Sequence, residues 1–285
     1  MSSIRERLAQ DVAVLRLALK LEHDEARSEV QTLLQAALRV NRAYLLAHPE
    51  HVLTEQEFFR YQTSLQRRLQ GEPLAYILGE REFFGLNFKV TPATLIPRPD
   101  TELLVEQALA RIPSHGARVL DLGTGSGAIA LSIAHARPDV EMTAVDASEA
   151  ALAVAQENAR RLGIRNAGFV LSDWFSALAG LHFDLIVSNP PYIAEQDIHL
   201  GQGDLRFEPA SALAAGVDGL DDIRRIIAGA VSHLTGSGWL LLEHGYDQAA
   251  RVRALLRHAG FENVISNNDL AGIERVSGGR LVRDI

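Results

Sequence analysis

From Val119 onward, short apolar runs alternate with stretches of helical periodicity, and this alternation limits the chain to very few folds. Val119-Leu120-Asp121-Leu122 reads as a strand, Ala128 to Ala136 as a helix and Met142-Thr143-Ala144-Val145 as a second strand. A helix from Ala150 to Leu162 follows, with Ser148 as its cap. Strand-like runs recur at Phe169-Val170-Leu171, Asp184 to Val187, Trp239 to Leu242 and Asn263-Val264-Ile265, with helical stretches near 220–234 and 247–258. Apolar strands alternating with helices specify an α/β fold with a doubly wound, mostly parallel sheet. Arg280-Leu281-Val282 is expected to add one edge strand, in antiparallel orientation.

The first part of the chain has a different grammar. Residues 1 to about 72 are helical in pattern, with Leu8, Val12, Leu15 and Leu19 on one face and Val30, Leu33, Leu34, Ala37 and Leu38 on another. Thr54-Glu55-Gln56-Glu57 has the spacing of a capping box opening a third helix, which Gly71-Glu72-Pro73 closes. The segment 76–100 contains aromatic and β-branched residues around Gly85, the pattern of a β-hairpin linker. Ile96-Pro97-Arg98-Pro99-Asp100 then disfavours helix until Thr101. The expected organisation is a small all-helical domain at 1–75, a hairpin linker at 76–100 and an α/β domain at 101–285.

The 285 residues contain no cysteine, which excludes disulfides, thiolate nucleophiles and cysteine-based zinc sites. His48 and His51 read as solvated loop histidines beside Pro49, and no metal site is expected. No apolar run approaches a membrane span and the first residues lack the apolar stretch of a signal peptide, so the expected location is cytoplasmic. A net charge of −8 argues against direct nucleic-acid binding and favours a cationic protein partner. The basic pairs Arg67-Arg68 and Arg224-Arg225 read as solvated helix faces.

Asp121-Leu122-Gly123-Thr124-Gly125-Ser126-Gly127-Ala128 follows the first α/β strand and opens a helix, where glycines let the backbone approach a ligand. The spacing also satisfies Gly-x-Gly-x-x-Ala, so a nicotinamide dinucleotide remains an alternative. Asp146 ends the second strand, where a carboxylate accepts from ribose hydroxyls. Asp121 beside the glycines would repel a pyrophosphate but favour the ammonium of S-adenosylmethionine. Asp173-Trp174 follows the third strand and suits an adenine amino group and its ring.

Asn189-Pro190-Pro191-Tyr192 follows the apolar run Phe183 to Val187. Its residue types suit the activation of a planar NH2 group, whose nitrogen must pyramidalise before it can attack. The Asn189 side-chain carbonyl and the Pro190 backbone carbonyl would each accept one N–H, and Tyr192 offers a face for stacking. Such a clamp serves an amide or an exocyclic base amine equally.

Together these segments resemble the class-I S-adenosylmethionine methyltransferases, of Rossmann-like fold, and within them the peptide-chain-release-factor glutamine N5-methyltransferases. The resemblance covers nearly the whole chain. It rests on the helical N-terminal domain, Thr94 to Glu102, the glycine loop, Asp173-Trp174-Phe175, Asn189 to Tyr192 and Arg206-Phe207-Glu208-Pro209 in order. It implies transfer of a methyl group from S-adenosyl-L-methionine, leaving S-adenosylhomocysteine, to the Gly-Gly-Gln glutamine of class-1 release factors. Cofactor contacts are then expected from Gly123, Thr124, Gly125, Ser126, Gly127, Asp146, Asp173, Trp174 and Asn189. Substrate contacts fall to Asn189, Pro190, Pro191 and Tyr192, with Asn189 and Pro190 catalytic. Glu208 and His244 are candidate late proton acceptors that also have structural readings, and Arg98 would shape the entrance. A ribosomal-protein glutamine methyltransferase and an adenine-N6 nucleic-acid methyltransferase are the alternatives. The family often carries Asp-Ala-Glu where this chain has Arg27-Ser28-Glu29, so only Glu29 corresponds.

Overall fold

The computed structural model describes residues 2–282, so Met1 and residues 283–285 of the expected outer domains lie outside the described residues. The chain divides into two compact units, Met1–Gly79 and Glu80–Ile285.

The first unit is helical: α1 (Ile4–Leu19), α2 (His23–Leu38), α3 (Arg42–Ala47), α4 (Glu55–Leu69) and α5 (Leu74–Leu78). Capping boxes form at Ser3/Glu6 and at Thr54/Glu57, each joining side chain and backbone reciprocally. Val12, Leu15, Val30, Leu33, Leu34, Ala37 and Leu38 are buried in one cluster, against which Leu8 and Leu19 pack. The helix opened by Thr54 is the fourth, because Asn41 caps the six-residue α3 through the Tyr44 N–H. So short a helix leaves no periodic signal.

Arg68 is not solvated. Its guanidinium donates to both oxygens of Glu29 at 2.7 and 2.9 Å, and the pair is nearly withdrawn from water. Arg67 pairs with Glu72. Glu29 therefore holds α2 to α4, a contact invisible to a count of basic residues.

The second unit begins with the antiparallel hairpin β1 (Glu80–Phe83) and β2 (Leu86–Lys89), with Gly85 at φ +74° in its turn. A 3-10 turn at Pro99–Thr101 leads into α6 (Glu102–Leu109). There follow β3 (Arg118–Leu122), α7 (Ala128–Ala136), β4 (Glu141–Asp146), α8 (Glu149–Leu162), β5 (Ala167–Leu171) and β6 (Phe183–Ser188). The unit closes with α9 (Asp221–His233), β7 (Leu234–Glu243), α10 (Ala249–His258), β8 (Phe261–Asn268) and β9 (Glu274–Leu281). The sheet has seven strands in the order β5-β4-β3-β6-β7-β9-β8. The first five run parallel, whereas β9 is antiparallel to both its neighbours. The predicted C-terminal strand thus lies inside the sheet and β8 takes the edge, because β9 pairs with β7 from Trp239 to Glu243.

Alternation along the strands sorts two cores. Val119, Leu185, Val187 and Leu241 face one cluster with α6 and α7. Leu120, Leu122, Ile186, Leu240 and Leu242 face another with α9 and α10. Period two places Asp121 and Glu243 on the α6/α7 side. The chain proceeds outward from β3 through β4 and β5, then returns to β6 on the other flank, so β3 and β6 bracket the switch point where such sheets bind ligands.

Candidate active site

A cavity of about 700 Å³ opens beyond the carboxyl ends of β3, β4, β5 and β6. Its size is within the range of small-molecule and cofactor sites. The glycine loop is its floor. Gly123 and Thr124 donate to the Val145 carbonyl at 2.9 Å, and Gly125 donates to Asp146 Oδ2 at 2.9 Å. Gly123 has φ +73°, a left-handed conformation that strains any side-chain-bearing residue, and it lies against the Trp174 ring with a built Cβ in ordinary contact at 3.4 Å.

Asp146 lines the cavity. Its Oδ1 accepts from Ser148 N at 2.9 Å, and both oxygens keep lone pairs for further donors. Trp174 also lines it, in the left-handed region at φ +49°, which is unusual for an aromatic residue. Ser172 Oγ donates to the Trp174 carbonyl at 2.8 Å and the indole N–H donates to Asp222 at 3.2 Å, which locks the ring in place. Asp173 is held by Arg225 at 2.9 and 3.0 Å. Arg225 and Asp222 are themselves cavity residues. The Arg224-Arg225 pair lies on a solvated helix face, as expected, and is ion-paired there as well, Arg224 to Asp218 and Asp221.

After β6, Asn189 and Pro191 line the cavity. Asn189 Nδ2 donates to Thr101 Oγ1 at 3.2 Å, which turns the amide oxygen away from that contact. Among the described residues none donates to Asn189 Oδ1 or to the Pro190 carbonyl. Asn189 Oδ1 stays available at the cavity, and the Pro190 carbonyl, unclaimed among the described residues, belongs to a residue that does not line it.

Three expected contacts are not on the cavity wall. Gly127 caps α7 at φ +83°, and a Cβ there would meet Leu131 at 2.9 Å and Ala155 at 3.2 Å, so it serves packing. Pro190 is buried behind the wall. The Tyr192 ring packs against the α9/α10 core and its hydroxyl donates to Glu243 Oε1 at 3.3 Å, so its face is engaged by protein. Burial beside Glu243 pushes the Tyr192 phenol up, keeping it protonated as a donor.

Asp121 also departs from expectation. Its side chain is fully buried, with Oδ2 accepting from Thr124 Oγ1 at 2.7 Å and Oδ1 unpartnered. Burial pushes its carboxyl up to about 7. It supports the loop from beneath and does not line the cavity. Glu208 is likewise buried, accepting from Ile96 N at 2.9 Å and from the Arg98 guanidinium. It ties the proline-arginine segment to the segment around Pro209, which together supply one wall. His244 is buried, bonded to Ser277 at 2.7 Å and the Gly245 carbonyl at 2.9 Å. Burial lowers its pKa, and it does not reach the cavity.

Residues 12–79 match the model of the PrmC N-terminal domain and residues 99–212 that of the methyltransferase small domain. The release factor glutamine methyltransferase of Salmonella typhimurium is 52% identical over 259 residues, 91% of this chain and 94% of its own length. That of Bordetella pertussis is 54% identical over 257 residues, covering 90% and 95%. The chain belongs to the release factor glutamine methyltransferases. Membership at this coverage spans both units, so the helical unit is part of the family's architecture. The fold reaches further: the hMettl16 catalytic domain, solved in complex with the MAT2A 3′UTR hairpin 6, superposes with a TM-score of 0.59 at 19% identity. It covers 78% of this chain and 83% of that one, and shares the fold.

Sequence reading missed Thr101, Asp222, Arg225 and Glu243 as parts of the site. Glu243 carried a usable signal, an acid ending an apolar strand as Asp146 does. Asp222 and Arg225 carried none, since they enter from α9.

Proposed function

We propose that the chain transfers a methyl group from S-adenosyl-L-methionine to the side-chain amide nitrogen, N5, of the glutamine in the Gly-Gly-Gln motif of class-1 peptide chain release factors. The observation that carries this reading is the Asn189 amide, anchored through its NH2 to Thr101 with its oxygen unclaimed at the cavity.

The residues present fit the cofactor. Gly123 holds the left-handed backbone turn beside Trp174, Asp146 has acceptor capacity for ribose hydroxyls, and the cavity volume is sufficient. Gly123, Thr124, Gly125, Ser126, Asp146, Asp173, Trp174 and Asn189 would hold it. When bound, it supplies an electrophilic methyl on a sulfonium that leaves as a neutral thioether. Asn189 Oδ1 and the Pro190 carbonyl would accept the two hydrogens of the glutamine NH2, orienting its lone pair. Pro191 shapes the wall beside them, and Tyr192 braces the turn through Glu243. The amide nitrogen becomes acidic only as its new bond forms, so no strong base is required beforehand and its surplus proton passes to water. Positioning by fixed dipoles carries the rate enhancement.

The charge distribution supports a protein partner. The helical unit carries ten basic and ten acidic residues, which leaves the whole −8 in the α/β unit. A cavity of about 420 Å³ in the helical unit has an apolar floor of Leu8, Val12 and Leu45, with Arg16 and Arg27 at its walls. We assign that unit to recognition of the substrate protein. Incubation of a purified release factor with the enzyme and S-adenosylmethionine, followed by peptide mass spectrometry, tests the reading. One methyl on the Gly-Gly-Gln glutamine is expected, and methylation of a ribosomal protein or DNA alone overturns it.

A further inference from the structure

The loop after β5 carries Asp173 and Trp174 to the cavity, and a single helix holds that loop from outside. Asp222 Oδ1, in the first turn of α9, accepts from the Trp174 indole at 3.2 Å. One turn further along, Arg225 Nη2 donates to both oxygens of Asp173 at 2.9 and 3.0 Å. Beyond these, Gly229 lies against Phe175, whose ring stacks on His233 with centroids 4.5 Å apart. Steps of three, four and four residues from Asp222 to His233 keep to one helix face. That face meets Asp173, Trp174 and Phe175 side by side.

Gly229 shows how close the approach is. A Cβ there would collide with Phe175 Cδ2 and stand 2.6 Å from Cε2. The ring has little room to withdraw, because His233 lies flat on it and it packs against the α9/α10 core. Gly229 sits inside α9 and is not among the glycines of positive φ, so helix propensity alone would favour alanine. Contact with Phe175 is what requires the bare backbone. Trp174, at φ +49°, also needs support from beyond its own loop, and the indole contact to Asp222 supplies it.

We infer that this face of α9 sets cofactor affinity, with Asp222 and Arg225 as positioning residues for the Trp174 ring and the Asp173 carboxylate, and Gly229 as the opening that admits Phe175. Asp173, Trp174, Asp222 and Arg225 all line the cavity, so the brace stands at its wall. Arg225 occupies one lone pair on each Asp173 oxygen and leaves capacity for an adenine amino group. The loop placement stands by itself; its effect on S-adenosylmethionine rests on the methyl-transfer reading.

Two measurements test this on the full-length enzyme carrying Trp239→Phe, which leaves Trp174 as its single tryptophan. The first is Trp174 emission without ligand. Gly229→Ala should shift it to the red and increase its quenching by acrylamide, and unchanged emission and quenching overturn the inference. The second is S-adenosylmethionine affinity by calorimetry. Gly229→Ala should weaken binding about tenfold, because the overpacked ring displaces the loop. In a Phe175→Ala background, where nothing is left to collide, the same change should cost less than about threefold. Equal losses in both backgrounds would mean that Gly229 acts through the helix as a whole, and the inference fails. A shifted emission with unaltered affinity also overturns it.

If Gly229→Ala does not fold, the Asp222 variants decide. Asp222→Ala should weaken binding about fivefold, whereas Asp222→Asn, which keeps a carbonyl acceptor for the indole, should stay within about twofold of the parent. Equal effects of the two contradict the inference. The Arg225–Asp173 pair is more than half exposed, so Arg225→Ala should cost no more than about threefold. Arg224→Ala removes exposed ion pairs of the same helix off this face and should leave affinity unchanged; a loss matching that of Asp222→Ala would refute the assignment. A parent enzyme that binds no S-adenosylmethionine, with the Trp174 response to Gly229→Ala intact, would refute the functional reading and leave the loop placement standing.

Discussion

The helical unit and the α/β unit both bury carboxylates, and they treat them differently. In the helical unit Asp11 accepts from the Tyr61 hydroxyl at 2.8 Å, and Glu29 takes both arms of Arg68. In the α/β unit Glu208 is paired in the same way with Arg98 and the Ile96 N–H, but Asp121 Oδ1 and Glu243 Oε2 are buried without a partner, and both carboxyls are pushed up to about 7 by burial. Paired acids join helices; underpaired acids cluster behind a cavity. An unsatisfied buried oxygen costs stability, so its position behind the cavity of the proposed site marks where stability has been subordinated to geometry.

The contrast can be broken in order of expected effect. Glu29→Ala removes the carboxylate that pairs with the buried Arg68, which keeps the Gly71 and Glu72 carbonyls, and should destabilise that unit by about 3 kcal/mol. Hydrogen exchange of α2 and α4 amides reports this, and unchanged protection would remove the pairing account. Asn189→Ala should cost a factor of about 100 to 1,000 in kcat, roughly 3–4 kcal/mol of transition-state stabilisation, without altering the melting temperature. Near-normal turnover would dismiss the amide clamp. Asp146→Ala should weaken S-adenosylmethionine binding about tenfold, equivalent to roughly 1.4 kcal/mol, as read by calorimetry. Unchanged affinity would contradict the ribose assignment.

The smallest effect concerns Asp121. Its folded pKa of about 7 exceeds the ordinary carboxylate value, so between roughly pH 4 and 7 the native state holds a proton that the unfolded chain releases. Its contribution to stability therefore declines as pH rises through that window and is level above it. Asp121→Asn should lack this slope and should melt a few degrees higher than the parent at pH 8, on the order of 1 kcal/mol. Parallel melting-temperature curves for the two proteins across pH 4 to 8 would show that the buried charge is satisfied after all.

How far the sequence spoke for itself follows the same division between local and distant contacts. The bounds of α7, the Ser148 cap, the Thr54/Glu57 capping box and the turn at Gly85 all rest on interactions within a few residues, and each is where the pattern places it. The central strands β3 and β6 were legible from apolar runs buried on both faces. β9 was misplaced at the edge because lateral order depends on pairing partners far along the chain. Arg68 looked solvated because its partner Glu29 is 39 positions away, and Arg225, which is solvent-exposed as expected, hid an ion pair with Asp173 at 52 positions. At the site, the glycine loop, Asp146, Trp174 and Asn189 could be read from strand ends. The face of Tyr192 and the depth of Asp121 could not, since both depend on which side of the sheet a residue points to.

The most direct test of the central claim, that Asn189 presents a fixed acceptor to a glutamine amide, is peptide mass spectrometry of release factor incubated with S-adenosylmethionine and either the parent enzyme or Asn189→Ala. One methyl on the Gly-Gly-Gln glutamine is expected with the parent and almost none with the folded variant. Equal methylation by both, or transfer to another residue, would contradict the claim.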